Sequence, residues 1–428
     1  MKRFFKAISL LIMLIVLSVS ATACTFMNDS SSGGGGNLPP QDTSALAQKV
    51  VFNQDASNPA SQTDLSLVDA IAKVERTSVA IFTSTGSGSG VIIDILDEAK
   101  PKNDNYVYII TCHHVIEEKG VVQVNIPDEN CGYDNTDYIF SGSIGNNTFI
   151  NTEAVTLVGG DKDSDIALLR LDLSKPAKSG KLLPLDKIVK AQVPETYSVK
   201  KGQQVFAIGN PSGRLPGSVA EGIVSYIERE TTVYVEREEI IEKIGDMLLL
   251  QISVTTNPGN SGGGLYNLKG ELIGITNAGS TSYNALNYAI PAVLSNGNGF
   301  INMASQLLAS QTDSNYGYIS GRREKFGFTY TETDDGAGGT CVYIFEVTSG
   351  SQAYSAGLEA NDIVKAIKIG NNAKTNISTF SEFSTQMAKA QIGDEIVIYV
   401  VRQISLIKTI SLEIKLQVKQ YRFCDTGK

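Results

Sequence analysis

The sequence predicts a mainly β fold in two ordered parts, a larger β-rich domain followed by a small α+β domain. Three observations carry this expectation. Short β-branched runs bounded by turn residues recur along the first part, namely VIID, YVYIIT, VVQVNI, IALLRL, VFAIG and LLLQIS. After a turn-rich break at Ser295 to Gly299, the runs VYIFEV, DIVKAIKI, EIVIYVVR and TISLEIKL return to strand character around one helical pattern, SEFSTQMAKA. Between these blocks, glycines crowd a single serine in NPGNSGGGLY, residues 257–266, a degree of backbone freedom that packing alone does not require.

The elements follow in order. Lys2, Arg3 and Lys6 precede an apolar run from Ala7 to Val19, and Ala21, Thr22 and Ala23 lead into Cys24, the pattern of an export signal. Residues 1–23 read as a signal peptide of the lipoprotein type, with Cys24 the lipidated first residue of the mature chain. An uncleaved N-terminal membrane helix is the alternative, although the run is slightly short for a span. Residues 24–64, with SSSGGGGNLPPQDTS, cannot bury enough apolar surface to fold and read as a tether. SLVDAIAKV opens the first domain, residues 65–310, as a helix, and FINMASQLLAS closes it as another. Residues 311–318 read as a linker and 319–422 as the second domain.

Composition narrows the function classes. A chain of 428 residues with 42% hydrophobic content builds two or three packed domains. A net charge of -9 argues against a phosphate-backbone binder, so nucleic acid is not an expected partner. Apart from Cys24, the cysteines are Cys112, Cys131, Cys341 and Cys424, without metal-type spacing, and only two histidines exist. No metal or cofactor is expected. Two disulfides are possible outside the cell, and no pairing is predicted.

Those histidines, His113 and His114, end the β-forming run YIITC, so one should face inward and the other away. Downstream, DKDSDIALLRL puts Asp161 and Asp163 in a solvated turn and Asp165 at the mouth of an apolar strand, where an ionised carboxylate needs a partner. An imidazole N–H would serve. A nucleophilic serine at Ser261 explains the glycines around it. Its hydroxyl must reach a base while backbone N–H groups point at a developing oxyanion, and side chains would obstruct both. On this reading Gly262 and Gly263 leave room for a substrate carbonyl.

The order His114, Asp165, Ser261, standing in TCHHV, DIALL and NPGNSGG, resembles the trypsin-like serine proteases of the HtrA (Deg) group. GSGSGVII, AIGNPSG, EGIVS, ELIGIT and NYAIP extend the resemblance in the same order. It implies a chymotrypsin-like double β-barrel. It also selects His114, which precedes Val115, as the catalytic histidine, with Cys112 where the group has asparagine. The implied catalytic set is His114, Asp165 and Ser261, with an oxyanion hole at Gly259, Asn260 and Ser261. Thr255 would line the base of the specificity pocket, with Tyr288, Ala289 and Ile290 of NYAIP opposite. An uncharged pocket of this kind implies cleavage after small or medium aliphatic residues. Homotrimers or larger assemblies are a further implication.

The second domain resembles a PDZ domain, in one copy. Lys325, Phe326, Gly327 and Phe328 match that family's carboxylate-binding loop, and GSQAYSAGLEANDIVKAI its following run, with Asn361 in place of glycine. Asparagine tolerates the left-handed conformation such a turn needs. The resemblance implies capture of peptide C-termini. One segment, residues 226–246, has no counterpart in either resemblance. It reads as a strand through Thr231 to Val235 and then an acidic helix, either a regulatory loop or a solvated hairpin.

Two functions follow from different classes. The first is an exported, membrane-anchored serine endopeptidase acting on misfolded or damaged proteins at the cell envelope. The second is a chaperone-like or peptide-binding protein that keeps the fold without turnover.

Overall fold

The computed structural model describes residues 50–52, 61, 63–97, 105–117, 120–127, 137–144, 153–194, 196–237, 240–279, 286–312, 316–319, 325–334, 338–405 and 408–420. The export signal, Cys24, most of the tether, Cys131 and Cys424 lie outside these residues. Among the described residues, no helix is long and apolar enough to cross a membrane.

Val50–Phe52 (β1) precedes the helix Leu67–Val74 (α1). Ser66 starts that helix by accepting the Asp69 N–H on its hydroxyl at 3.2 Å. The strands Ser78–Thr83 (β2), Ser87–Ile93 (β3), Ile95–Asp97 (β4), Tyr106–Cys112 (β5), Gly120–Asn125 (β6), Ile139–Ile144 (β7), Val155–Asp161 (β8) and Ile166–Asp172 (β9) follow. Between β5 and β6 lies one helical turn, His113–Ile116 (α2). Seven of the strands close into a barrel in the order β2-β3-β5-β9-β8-β7-β6, and β4 pairs with β1 outside it. A second barrel closes from Gln204–Gly209 (β10), Ser218–Arg237 (β11), Ile240–Ile252 (β12), Gly264–Asn267 (β13), Leu272–Gly279 (β14) and Asn287–Pro291 (β15).

Ile81, Ile109, Phe140 and Leu169 fill the first barrel, and Val205, Leu250, Leu265 and Ala289 the second. A further cluster joins Val91, Ile110 and Leu168 of one barrel to Phe206, Tyr266 and Ile275 of the other. Phe300 and Leu307 of the closing helix, Phe300–Ser310 (α3), complete it. The interface between the barrels is thus as apolar as their interiors, which fixes their mutual position.

The segment after α3, expected as a linker, is docked where it is described. The Gly317 N–H donates to the Val158 carbonyl at 2.7 Å, and Tyr316 and Ile319 are buried. A third sheet then forms from Phe328–Asp334 (β16), Thr340–Val347 (β17), Ile363–Ile369 (β18), Thr375–Asn376 (β19), Glu395–Ser405 (β20) and Lys408–Gln417 (β21). The short helix Gln352–Ser355 (α4) and the longer Phe380–Lys389 (α5) accompany it. Its order, β16-β17-β18-β20-β21, leaves β16 at an edge. A capping box between Thr379 and Glu382 starts α5. Asn361 adopts φ 71, the left-handed conformation its neighbourhood calls for. The adjacent buried Asp362 accepts from Arg402 Nε at 2.6 Å and Nη2 at 2.8 Å.

The segment 226–246 departs from expectation. The acidic helix does not form. Instead β11 and β12 make one long hairpin, registered from Val224↔Ile252 to Arg237↔Ile240. β-Branched Ile240, Ile241 and Ile244 beside Gly245 weaken a helix there, and pairing with the threonine- and valine-rich β11 satisfies the backbone. A bulge carries Glu228 at φ 51. Its carboxylate accepts the Ser295 N–H at 2.5 Å and hydroxyl at 2.7 Å, tying the hairpin to the turn after β15.

Candidate active site

β5 ends at Cys112, and α2 turns the chain so that the two adjacent histidines separate. His113 is buried, whereas the side chain of His114 keeps 15% exposure. The turn between β8 and β9 brings Asp165 opposite. This residue is fully buried at φ 51, a conformation aspartate tolerates better than most residues. Asp165 Oδ1 accepts the backbone N–H of His114 at 2.9 Å, and Oδ2 meets His114 Nδ1 at 2.7 Å. Its carbonyl accepts the His113 N–H at 3.0 Å, so backbone and side chain together lock α2 to this turn.

Asp161 does not stand in solvent as expected. It is buried, and its Oδ2 accepts the Ser164 N–H at 2.9 Å and hydroxyl at 2.5 Å. The carboxylate closes the turn that holds Asp165. Asp163 is half-buried, and Lys325 Nζ lies 3.6 Å from its Oδ1.

Ser261 sits on the glycine turn between β12 and β13, its hydroxyl donating to the Asn277 carbonyl at 3.1 Å. Asn277, on β14, also donates its side-chain amide to Asp165 Oδ2 at 2.5 Å. One residue therefore touches both the serine and the aspartate. Turning this amide over would set its oxygen against a carboxylate, so the orientation is fixed by charge.

Gly259 has φ 97, and a Cβ there would stand 2.2 Å from the Asn210 carbonyl oxygen. Gly262 has φ 84, and its Cβ would lie 2.2 Å from the Ser89 carbonyl oxygen. The space at Gly262 and Gly263 is taken by neighbouring backbone and side chains rather than left for a substrate carbonyl: a Cβ on Gly263 would meet Ile208 O at 2.5 Å. Close packing of the turn between the barrels is what these glycines permit.

A cavity of about 140 Å³ opens beside the turn, and Thr255, Asn257 and Asn260 line it with Ala207, Val219 and Ala220. Tyr288, Ala289 and Ile290 are not among its lining. Ala289 pairs with Leu250 inside the second barrel and Ile290 packs at the barrel interface. The structure therefore places Thr255 at a pocket but does not bring the NYAIP residues to it.

Burial pushes the Cys112 thiol well above its ordinary range, with Asp165 adding to the effect. The thiol stays protonated, and its Sγ donates to the Thr276 carbonyl at 3.4 Å. Cys112 and Cys341 are free. Among the described residues, the one group with metal-type donors is Cys112, His114 and Asp165, all within 4.8 Å of one another. Its donors are already hydrogen-bonded within the site.

Burial also lowers His113 from the usual 6.5 to about 4, outweighing the opposite pull of Glu117 and Asp165. His113 is therefore neutral in the folded chain where the unfolded chain takes up a proton. Its contribution is intact above pH 6.5 and is lost as pH falls towards 4, a change of about 3 kcal/mol. Urea unfolding between pH 7 and 4 should show this slope, and His113→Gln should remove it.

Sequence reading missed three residues here. Ser89 and Thr276 lie inside GSGSGVII and ELIGIT, runs that served only to extend the resemblance, and Asn277 lies just beyond ELIGIT. A spacing signal marks none of them, because their partners are distant along the chain.

The trypsin-like peptidase domain model matches residues 88–275. The chain is 30% identical over 351 residues to the serine protease Do-like HtrA of Bacillus subtilis, covering 79% of this chain and 65% of that protein. It is 28% identical over 314 residues to the serine protease Do-like HtrA of Lactococcus lactis, covering 68% and 62%. With the periplasmic serine endoprotease DegP of Salmonella typhimurium it shares 28% identity over 340 residues, covering 77% and 56%. The chain spans less than two thirds of the length of each of these relatives. Residues 88–275 thus match the trypsin-like peptidase domain family, in a chain similar to the HtrA/DegP serine proteases.

Proposed function

We propose that this chain is an exported serine endopeptidase that cleaves unfolded or damaged proteins outside the cytoplasm. The observation that carries the reading is the double grip of the buried Asp165 on His114, at 2.9 Å to its N–H and 2.7 Å to its ring, beside a serine on a glycine turn. With Nδ1 held by Asp165, Nε2 of His114 is the nitrogen that serves as the base. It takes the proton of Ser261, whose oxygen attacks the peptide carbonyl. The N–H groups of Gly259 and Ser261 receive the oxyanion. His114 then protonates the leaving amine, and water releases the acyl group by the same route.

The export signal and Cys24 support attachment to the outer face of a membrane by lipid, with an uncleaved helix as the other anchor. The Salmonella relative is a periplasmic endoprotease, which supports the same side of the membrane. Residues 319–422 act as a PDZ domain. Edge strand β16 offers its backbone to an extended C-terminus, and Lys325, Phe326, Gly327 and Phe328 stand at its start. N–H groups of Thr348 and Ala353 hold the Gly327 and Phe326 carbonyls at 2.8 and 3.0 Å, which keeps that loop closed. Association into trimers belongs to the same reading.

The test is incubation with an unfolded casein, with and without a fluorophosphonate. Cleavage that the reagent abolishes, with the adduct mapped to Ser261, is the expected result. New ends after small or aliphatic residues should predominate. No cleavage and no adduct, even with C-terminal peptides added, would sink the proposal.

A further inference from the structure

We infer that Ser89, on β3 of the first barrel, is a positioning residue for the oxyanion turn of the second. This rests on the peptidase reading above. Ser89 is fully buried, and each of its polar groups reaches a defined partner. Its N–H donates to the Ser261 carbonyl at 2.8 Å. Its hydroxyl donates to the Gly259 carbonyl at 2.8 Å and accepts the Asn210 N–H at 2.8 Å. Its own carbonyl accepts the Thr111 hydroxyl at 2.7 Å, which anchors Ser89 to β5.

The consequence lies in the peptide planes. The direction of an N–H is set by the carbonyl of the same peptide unit, which points the opposite way. The Gly259 N–H is aimed because the Pro258 carbonyl accepts from the Ser212 N–H at 2.6 Å. The Ser261 N–H is aimed because the Asn260 carbonyl accepts from the Gly263 N–H at 2.8 Å and the Thr276 hydroxyl at 2.5 Å. Between these planes lies the unit joining Gly259 to Asn260. The Ser89 hydroxyl is the side-chain donor on its carbonyl, and the Asn257 carbonyl takes its N–H at 2.9 Å.

Gly259 at φ 97 has no Cβ to resist rotation of that plane, so the hydrogen bonds must resist it. Removing the Ser89 hydroxyl leaves the Gly259 carbonyl and the Asn210 N–H without this partner and frees the spacing between the two oxyanion donors. Ser89 touches no reacting atom in this scheme and acts through Gly259.

The experiment uses the full chain, normalised to the folded fraction, and measures kcat, KM and affinity for a peptidyl-valine boronic acid. The boronate forms a tetrahedral adduct whose oxygen occupies the oxyanion position. Ser89→Ala should lower kcat by roughly 10- to 100-fold and weaken the boronate comparably, with KM within about twofold. Ser89→Cys, which keeps a weak donor, should fall between the two.

Thr77→Val is the control for stability alone, since Thr77 bonds Val74 and Tyr266 at 2.7 and 2.6 Å and makes no hydrogen bond to residues 257–263. It should leave kcat per folded molecule unchanged. Unchanged kcat in Ser89→Ala, or a fall in kcat without weaker boronate binding, would overturn the inference. If Ser89→Ala does not fold, Ser89→Cys decides by the same ratio. A parent chain that neither cleaves nor binds the boronate would fail the peptidase reading itself.

Discussion

Replacing Ser261 by alanine will lower turnover of an unfolded casein by about a million-fold and leave the fold intact. The size follows from the unity of the catalytic group, because without the nucleophile the His114–Asp165 pair has no proton to move. What survives is the contribution of binding and the oxyanion donors, roughly 10³- to 10⁴-fold over water. The structural cost is small for two reasons. Ser261 has an ordinary negative φ, so alanine fits its backbone, and the hydroxyl gives up one contact, at 3.1 Å to the Asn277 carbonyl. Circular dichroism and the urea midpoint should match the parent to within about 1 kcal/mol. Retention of even a hundredth of the parent activity would mean that another residue is the nucleophile.

The sequence was informative where chemistry is carried by neighbouring residues. DIALL and TCHHV place their functional residues at strand ends, and NPGNSGG places its serine among glycines, so local pattern suffices. Alternation also outlined the barrels, since buried strands repeat β-branched residues between turns. What escaped was long-range. Ser89 lies 170 residues from Gly259, and Asn277 lies 112 from Asp165, and nothing in either local pattern announces those partners. The hairpin of β11 and β12 escaped for a related reason. The charges of residues 236–243 favoured a helix locally, while pairing with β11 provided a continuous ladder that local periodicity does not reveal. The glycine turn was partly misread too, because the groups crowding Gly262 and Gly263 come from β3, β5 and β10.

Changing Asp165 to asparagine should lower kcat by about 10⁴-fold with little loss of fold, and Asn277 sharpens the reason. Asparagine tolerates φ 51 as well as aspartate does, so the backbone turn survives. The side chain now has one acceptor where the site demands two. The native Oδ1 takes the His114 N–H, while Oδ2 serves both the imidazole and the Asn277 amide. If the new amide nitrogen takes the Oδ2 position, it donates to His114 Nδ1 and forces the ring proton onto Nε2. That nitrogen can then no longer accept from Ser261, and the Asn277 amide faces a donor. The reverse orientation sets the new amide against the His114 N–H. The first arrangement can be relieved by exchange. In the double variant Asp165→Asn with Asn277→Asp, the new carboxylate accepts from the new amide, so stability should recover. Activity should not recover, because the histidine keeps the wrong tautomer. Measuring kcat and urea midpoints for the two single variants and the double one separates these effects. Recovery of kcat in the double variant would show that charge near His114, rather than its tautomer, is what Asp165 supplies.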